Sequence, residues 1–392
     1  MVLLVKNHWL ELAVSNPVLF VTNDFGPRAG GIETFIIGLI ERRPFGQTIV
    51  YTSWQENAED YDADWHTKYG VEVIRDRSKI LLPTPRVAVT LRKIIRARGI
   101  TTAAFGAAAP LGLLSASMKR AGVKRTVSLT HGHEVWWAKV FPFNLLLRRI
   151  GSTVDVLTYL GEFTRNAISN ALTSNAQGAM VKIAPGIDTD HFVPTDASLL
   201  RRSLGLDDKK VIVSVGRLVH RKGQDYLIQS MPLILKQVPN AHLLLVGQGP
   251  YLDHLQKLVK EHGLENSVTF IGRIDYKDLP MYLCVGDIFA MPSRSRLMGL
   301  EVEGLGIVYL EASSCGLPVV AGDSGGAPDA VKHNETGLVV SGTDEKQIAS
   351  AAVELLINTD ASQKMGLAGR QWIVDNWRWE IWSKEFEGLL NK

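Results

Sequence analysis

The feature that most constrains this chain is the alternation of short apolar strands with helical segments. In the first half, strand-like runs rich in Val, Ile, Leu and Thr precede longer segments of helical character. The strands are predicted at residues 17–22, 48–51, 71–74, 126–130 and 154–159, and a helix at residues 31–39. Strands that alternate with helices form a parallel sheet covered on both faces. The pattern therefore predicts an α/β fold.

The alternation is interrupted by the segment APGIDTDHFVP at residues 184–194. Two prolines, a glycine and two aspartates are typical of turns and linkers. A second series of strands follows, predicted at residues 210–215, 241–246, 268–271, 287–290 and 319–321. A chain of 392 residues also exceeds one ordinary domain. We expect two doubly wound, Rossmann-like domains, residues 1–194 and 195–372, with a hinge near residues 185–200 and a ligand cleft between them.

Composition narrows where such a protein works. The chain is 46% hydrophobic and 21% charged, as globular proteins are, and no segment approaches the length of a membrane span. The first fifteen residues include a Lys, a His and a Glu, so we expect an extension before the first strand rather than a signal peptide. Cys284 and Cys315 stand in apolar surroundings, which is typical of a reducing compartment such as the cytoplasm.

The net charge of +3 hides an uneven distribution. Residues 79–149 contain thirteen Lys and Arg side chains and one acid, Glu134. Residues 1–200 carry a net charge of +5, whereas residues 201–392 carry −2. A basic half beside a slightly acidic half indicates that the first half contacts an anionic partner.

A glycine pair follows the first predicted strand. In NDFGPRAGGIETF, Gly30 and Gly31 precede a helix. Glycines at such a turn let backbone N–H groups approach a phosphate, although a plain βα turn explains the pair equally well. The nicotinamide fingerprint fails, because VGQGPYL supplies Gly247 and Gly249 but has Leu252 where the third glycine is needed. The absence of GxxxxGK[ST] excludes a P-loop ATPase.

Two charged motifs follow strands of the second series. Strand 210–215 runs into GRLVHRKG, where Arg217 and Lys222 lie on a loop at the carboxyl end of the strand. An Arg fork and a Lys charge can compensate a departing diphosphate without a metal. The alternative is a solvated basic loop, which the position at the binding edge disfavours.

The second motif is EGLGIVYLEASSCGLPVVAG, which opens on Glu303 and reaches Glu311 eight positions later. Gly304 and Gly306 predict a turn, and a helix is expected to begin at about residues 305–307. The free N–H groups of that helix favour a phosphate. The two carboxylates can accept hydrogen bonds from the hydroxyls of a sugar or a ribose. Taken singly, each acid is better explained as a surface glutamate or a partner of the helix dipole, but taken together with the Arg217–Lys222 loop they favour a ligand site.

The combined motifs resemble family 4 of the retaining glycosyltransferases, which have the GT-B fold. The resemblance rests on GGIE, GRLVHRKG, VGQGP, FIGRI and the E-x7-E element followed by EASSCGLPVV, and it extends from about residue 17 to the end. It implies two Rossmann-like domains facing across a cleft. It also implies that the helix in NWRWEIWSKEFEGLL, at about residues 373–392, crosses back onto the first domain.

The resemblance further implies an α-linked nucleoside diphosphate sugar as donor. Arg217 and Lys222 would hold the diphosphate, Glu303 would contact the sugar hydroxyls, and Glu311 would contact the ribose. The residues expected to bind the donor are Gly30, Gly31, Arg217, Lys222, Gly247, Arg273, Asp275, Glu303, Gly304, Gly306, Ile307 and Glu311.

His131, in THGHEVWW just past strand 126–130, is expected near the transferred sugar, in preference to His133. The catalytic set implied by the resemblance is therefore His131, Arg217, Lys222 and Glu303. No convincing carboxylate nucleophile is present, so the implied reaction retains configuration by front-face departure of the diphosphate, which itself takes the acceptor's proton. No cofactor or metal is expected.

The sequence contains two D-x-D pairs, Asp62 with Asp64 and Asp188 with Asp190. A metal-dependent transferase of the other fold class would use such a pair. The first is expected in a polar loop and the second in the linker, so neither is expected to bind a metal.

The donor base is open between guanine and uracil. Asp275, in FIGRIDYKDL, lies where the family's base-binding loop is expected, and a carboxylate can accept from guanine N1–H and N2–H₂ together. This favours GDP, although Asp275 also suits a helix N-cap.

The acceptor is expected on the basic first domain. LRKIIRARGI and VWWAKVFPFNLLLRRI place aromatic and aliphatic side chains beside cations, a combination suited to an anionic membrane surface. Core aromatics with solvated cations are the alternative. We expect a cytoplasmic enzyme that contacts the inner face of the cell membrane peripherally, glycosylates an anionic glycolipid and binds no nucleic acid.

Within the family the chain resembles actinobacterial GDP-mannose-dependent mannosyltransferases acting on phosphatidylinositol monomannoside. Three other functions remain open. They are a transferase using UDP-glucose or UDP-N-acetylglucosamine, a nucleotide-sugar epimerase of the same fold, and a basic peripheral membrane protein with a degenerate nucleotide site.

Overall fold

The first half of the chain forms a seven-stranded parallel sheet in the computed structural model, which describes residues 17–27 and 30–391. Its strands are β1 (Val18–Thr22), β2 (Thr48–Thr52), β3 (Glu72–Arg75), β4 (Thr102–Phe105), β5 (Arg125–Ser128), β6 (Val156–Tyr159) and β7 (Met180–Lys182). The spatial order is β3-β2-β1-β4-β5-β6-β7. The chain reverses direction across the sheet between β1 and β4, and such a switch point leaves a crevice at the carboxyl ends of the strands. The segment before the first strand, residues 1–16, lies outside the described residues.

Helices connect these strands on both faces. They are α1 (Gly31–Ile40), α2 (Glu59–Tyr69), α3 (Pro85–Arg98), α4 (Ser115–Lys119), α5 (Glu134–Lys139), α6 (Phe143–Thr153), α7 (Glu162–Ser169) and α8 (Ser174–Gly178). The central strands β1 and β2 are buried along their whole length, as expected of a sheet with two covered faces.

The second half forms a six-stranded parallel sheet in the order β10-β9-β8-β11-β12-β13. Its strands are β8 (Lys210–Val215), β9 (Ala241–Val246), β10 (Val268–Gly272), β11 (Ile288–Met291), β12 (Val319–Gly322) and β13 (Gly337–Val340). Its helices are α9 (Ser198–Ser203), α10 (Gln224–Gln237), α11 (Leu252–Glu261), α12 (Leu279–Cys284), α13 (Ile307–Ser314), α14 (Glu345–Ile357) and α15 (Thr359–Asn376). The switch point lies between β8 and β11. The prediction of two doubly wound sheets is confirmed.

The last described helix, α16 (Trp379–Leu390), packs on the first sheet although it follows the second in the chain. Trp379 lies against Gly38 so closely that a Cβ there would come within 2.2 Å of the indole. Phe386 packs on Phe20 with ring centroids 5.9 Å apart, and Arg125 Nε donates to the Leu389 carbonyl at 2.9 Å. The predicted crossing of the C-terminal helix back to the first domain is therefore confirmed.

Three strands escaped the sequence analysis, namely β4, β7 and β13. β4 reads Thr-Ala-Ala-Phe, and alanine carries no strand signal of its own. The sheet makes it a strand, because β4 pairs with both β1 and β5 at the centre. The domain boundaries predicted at residues 194 and 372 stay predictions.

Candidate active site

The carboxyl ends of the two sheets meet at a contact between two glycines. A Cβ at Gly132, just after β5, would lie 2.8 Å from the Cα of Gly304, in the loop before α13. A Cβ at Gly304 would lie 2.5 Å from the carbonyl oxygen of His131. These approaches leave no room for a side chain at either position, so the loops carrying His131 and Glu303 face each other across the cleft. The side of the cleft formed by the first half of the chain is called the first wall, and the side formed by the second half is called the second wall.

A charged cluster occupies the second wall of the cleft. The Glu303 carboxylate is 2.8 Å from Lys222 Nζ and also accepts a hydrogen bond from Arg221. Glu303 is 7% and Lys222 is 8% exposed. Burial alone would raise the pKa of Glu303, but the two cations outweigh it and hold the pKa below its ordinary range. The site therefore presents a carboxylate, not a carboxylic acid, at neutral pH.

Backbone contacts fix Glu303 in place. Its N–H donates to Ser324 Oγ at 3.1 Å, and its carbonyl accepts from the Gly326 N–H at 2.8 Å. Gly306 follows with φ +81° and caps α13, which begins at Ile307. A Cβ at Gly306 would lie 2.4 Å from the Tyr309 ring, so only glycine fits this turn. The free N–H groups of α13 thus start one turn away from Glu303.

A buried ion pair supports the loop that carries Lys222. Arg294 forms two hydrogen bonds with the Asp225 carboxylate, which also accepts from Tyr251 Oη at 2.9 Å. The Arg294 N–H in turn donates to the carbonyl of Arg221 at 2.8 Å. Burial raises the pKa of Asp225, but Arg294 outweighs it and the net pKa is lowered. This pair ties the loop after β8 to the loop after β11.

The sequence analysis missed Arg221 although GRLVHRKG contains it. It did so because neither its partner Glu303 nor the fold that joins them can be read from local spacing. Arg217, by contrast, is exposed, and no ion pair joins its side chain to another residue in the described part of the chain. The structure thus brings Lys222 and Glu303 together and leaves Arg217 at the rim of the same loop.

Glu311 lies one turn into α13 and behaves differently from Glu303. No hydrogen bond to its carboxylate is formed by the residues described, and desolvation raises its pKa to about 7, against the opposing charge of Lys222. Its carboxylate also acts, after burial, to raise the pKa of Tyr276. Tyr276 stacks on His191 of the linker with ring centroids 4.9 Å apart. The acid therefore lies between the helix and the linker with free acceptor capacity.

His131 is held in a single orientation on the first wall. Its Nε2 contacts the carbonyl of Gly106, which can only accept, so Nε2 carries the proton. Its ring packs edge-on against Phe35 of α1, with ring centroids 5.6 Å apart. The backbone N–H of His131 donates to Glu134 Oε2 at 3.0 Å. Burial lowers the pKa of His131, so its imidazole is neutral at physiological pH.

The remaining predicted residues lie on the surrounding loops. Gly30 precedes α1, and a Cβ there would lie 2.4 Å from Glu33 Oε2, whereas a Cβ at Gly31 would meet no described atom within 4 Å. Gly247 has φ +139° and packs on the carbonyl of Gly216, which accounts for this glycine without a ligand.

Arg273 and Asp275 are both exposed after β10. Asp275 precedes a short 3₁₀ turn but makes no side-chain cap. Asp275 thus occupies the N-cap position of this turn, but its carboxylate accepts no capping hydrogen bond.

The two D-x-D pairs lie in separate elements of the structure. Asp62 and Asp64 lie inside α2, so their expected place in a polar loop is wrong, because three acids stabilise the helix N-terminus and Trp65 anchors its inner face. Asp62 pairs with Arg75 at 2.7 Å. Asp188 and Asp190 lie in the linker, as expected. Among residues 17–27 and 30–391, no group of three or more His, Cys, Asp and Glu side chains could hold a metal ion.

Comparisons with known proteins match nearly the whole length of the chain. The model of the family described as "Glycosyl transferases group 1" matches residues 196–372. A GDP-mannose-dependent alpha-(1-6)-phosphatidylinositol monomannoside mannosyltransferase of Mycolicibacterium smegmatis is 43% identical over 95% of this chain and 98% of its own. A GDP-mannose-dependent monoacylated alpha-(1-6)-phosphatidylinositol monomannoside mannosyltransferase of Corynebacterium glutamicum is 41% identical over 97% and 99%.

Among solved structures, Anabaena HepE in complex with UDP superposes with a TM-score of 0.80 at 19% identity, covering 96% of this chain and 99% of that one. A sucrose-phosphate synthase from Thermosynechococcus elongatus gives a TM-score of 0.76 at 22% identity, covering 96% and 98%. At these identities the likeness concerns the fold.

Proposed function

The chain belongs to the group 1 glycosyl transferases, and from this premise we propose that it moves mannose from GDP-mannose to a phosphatidylinositol mannoside-type glycolipid with retention of configuration. The observation that carries the proposal is that identity above 40% to two named GDP-mannose-dependent mannosyltransferases extends over both halves of the chain. The acceptor half as well as the nucleotide half is therefore similar to theirs.

In this proposal the second wall binds the donor. Lys222 and Arg217, with the N–H groups at the start of α13, balance the charge of the diphosphate. Glu303 accepts hydrogen bonds from the mannose hydroxyls while Lys222 bridges it to the diphosphate. Glu311 accepts hydrogen bonds from the ribose hydroxyls. Its carboxylate oxygens, which no described residue uses, support this assignment. These groups need no metal.

The transfer step follows from that placement. The bond between the anomeric carbon and the diphosphate oxygen breaks as the diphosphate leaves with the electron pair. The acceptor hydroxyl enters on the same face and forms the new bond to the anomeric carbon. Its proton passes to the leaving diphosphate oxygen, and His131 contributes its neutral imidazole and its carbonyl to holding the sugar between the walls. The products are GDP and the extended glycolipid.

The acceptor approaches from a membrane in this proposal. The helix α3 presents the exposed cations Lys93, Arg96 and Arg98 beside the half-buried Arg92. The nearby loop exposes Ile80 by 64% and Leu82 by 51%. Apolar side chains flanked by cations fit the surface of an anionic bilayer. No helix of the described residues is long and apolar enough to cross one.

Calorimetry with GDP and UDP, without added metal, tests the donor. We expect GDP to bind more tightly than UDP, and Asp275→Asn to reduce the difference by roughly tenfold, since a carboxylate pairs with two guanine donors. Equal affinities for both nucleotides, or tighter UDP binding, would move the donor to a uridine sugar. Absence of binding by either would remove the nucleotide site altogether.

Transfer is tested with GDP-mannose and vesicles containing phosphatidylinositol monomannoside. We expect a lipid product heavier by one hexose, with an α linkage by NMR. A parallel reaction without lipid serves as the control, because an epimerase would convert the sugar of GDP-mannose there. Such conversion, or the lack of any lipid product, would contradict the proposal.

A further inference from the structure

A small hairpin between β11 and α13 has an exposed apolar tip. Arg296 and Glu301 form its base, with backbone hydrogen bonds of 2.8 and 3.2 Å and a side-chain ion pair at 2.9 Å. Between them, Leu297 is 64% and Met298 is 97% exposed. A single exposed leucine is ordinary, but two adjacent large apolar side chains at the tip of a closed hairpin are not.

The backbone holds both side chains outward. Leu297 has φ 50° and Met298 has φ 54°, the left-handed region that non-glycine residues seldom adopt. Asparagine or glycine would suit these angles better and would be polar or small. The presence of leucine and methionine at these angles, facing water, indicates that their apolar surface has a use.

The tip adjoins apolar and basic surface of the first half. Lys139 Nζ, at the end of α5, donates to the Gly299 carbonyl of the hairpin at 3.0 Å. Two residues later Phe141 is 75% exposed, and Leu145 on α6 is 54% exposed. The same helix carries the exposed cations Arg148 and Arg149, and no acid is present in its sequence, FNLLLRRIGST. On α6, the exposed apolar side chain Leu145 is therefore accompanied by cations and by no acid.

We propose that Leu297 and Met298 insert into the interfacial region of an anionic lipid bilayer, so that both walls of the cleft rest on the same membrane. The cations of α6 favour this occupant, because they complement anionic headgroups while the apolar side chains enter the acyl boundary. The proposal rests on the proposed function only in taking the acceptor to be a membrane lipid.

The position of the hairpin relative to Glu303 supports this assignment. Met298 and Glu303 are five residues apart, so their separation cannot exceed roughly 18 Å even in an extended chain. A bilayer touched by the tip thus lies within the reach of a sugar-bearing lipid headgroup from the charged cluster. The acceptor would not have to leave the membrane to be glycosylated.

The test replaces both tip residues by asparagine, which tolerates the left-handed backbone, in the variant Leu297→Asn/Met298→Asn. Binding to vesicles of phosphatidylcholine with phosphatidylglycerol is measured by co-sedimentation. We expect the affinity to fall by roughly tenfold or more, because two apolar side chains no longer leave water. The matched control is Leu367→Asn on α15, a leucine 65% exposed, whose variant should bind as the parent does. Unchanged binding of the tip variant would overturn the proposal.

A second measurement guards against a folding defect. Met298→Cys, labelled with nitrobenzoxadiazole, should emit more strongly and at shorter wavelength when the vesicles are added. The parent protein, treated with the same label, gives the background. A change in emission no larger than that of the parent would overturn the proposal. Sedimentation without vesicles identifies another occupant, since a dimer that the asparagine variant abolishes would assign the tip to a second copy. GDP affinity is measured on every variant. If the parent protein does not bind GDP, the proposed function is contradicted, but the vesicle measurements still test the membrane proposal.

Discussion

The two walls of the cleft differ in the charge of the side chains that face it. The second wall concentrates charge, since Lys222, Arg221 and Glu303 form one cluster and Asp225 with Arg294 a second one behind it. The first wall brings a neutral imidazole, His131, held by a backbone carbonyl and an aromatic ring. Its cations lie instead on outer helices such as α3 and α6.

This difference teaches where electrostatics can act on a reaction. Charges that are buried and paired in advance cost little to reorganise when a diphosphate departs, so they can stabilise the transition state. Exposed cations are screened by water and salt, so they change where the protein goes rather than how fast it reacts. We therefore expect variants of the second wall to affect turnover most, and variants of the outer first-half surface to affect membrane affinity.

The largest expected effect comes from Lys222→Ala. In the proposed mechanism it removes the cation that links Glu303 to the diphosphate, so turnover of GDP-mannose should fall by roughly a thousandfold. The measurement is the rate of lipid mannosylation at saturating donor. Lys236→Ala, an exposed lysine on α10, is the control and should retain the parent rate. A Lys222→Ala enzyme as fast as the control would end the assignment of catalytic charge to this wall.

His131→Ala tests the first wall by comparing its effect on kcat with its effect on GDP affinity. Because the proposed mechanism places the neutral imidazole beside the sugar rather than the nucleotide, kcat should fall by about a hundredfold while GDP affinity changes little. His133→Ala is the matched control, since that ring lies 6.2 Å away and its Nε2 contacts the Ala109 carbonyl. A larger loss of kcat in the His133 variant would reverse the choice between the two histidines.

Glu311→Gln tests the unpaired acid of the charged wall. The carboxyl has a pKa raised to about 7, so it is neutral below that pH and ionised above it. An ionised carboxylate accepts ribose hydroxyls more strongly, and GDP should therefore bind more tightly as pH rises through about 7. In Glu311→Gln we expect affinity at about pH 8 to be roughly tenfold lower and this pH dependence to be lost. Calorimetry across that range would contradict the assignment if both proteins show the same slope.

The smallest effect is expected from a single exposed cation, in Arg96→Gln. One cation near an anionic surface contributes about 1 kcal/mol, so affinity for phosphatidylglycerol vesicles should fall by roughly fivefold, and less at high salt. GDP affinity should remain that of the parent. Lys236→Gln, on the other half, controls for charge alone. A loss of GDP affinity in Arg96→Gln would break the separation between the two regions.

Much of the fold could be predicted because the spacing of apolar residues and the length of each segment are local properties of the sequence. Strands such as β8 and β9 are continuous apolar runs between turns, and their bounds came out as predicted. β4 did not, since its alanines become a strand only between two neighbours that are distant in sequence. The loop expected around Asp62 failed for a related reason, because a polar segment folds as a helix once Trp65 is buried beneath it.

The site was predictable as motifs but not as a network. Loops after strands of a parallel sheet gather at one edge, which is why Lys222 and Glu303 could both be assigned to the cleft. The contact between Arg221 and Glu303 joins residues 82 positions apart in the chain, so it has no local sequence signature. The different protonation of Glu303 and Glu311 also depends on which cations the fold places beside each acid.

The crossing of α16 onto the first sheet sets an order of events during synthesis. The strands of that sheet leave the ribosome early, yet the face that carries Phe20 and Phe35 is covered by residues made only after the second sheet. Until Trp379 and Phe386 are available, this apolar face stays open to water and to other nascent chains. The half of the protein that is translated first is therefore completed last, and a chaperone that shields it must remain bound through translation of the whole second sheet.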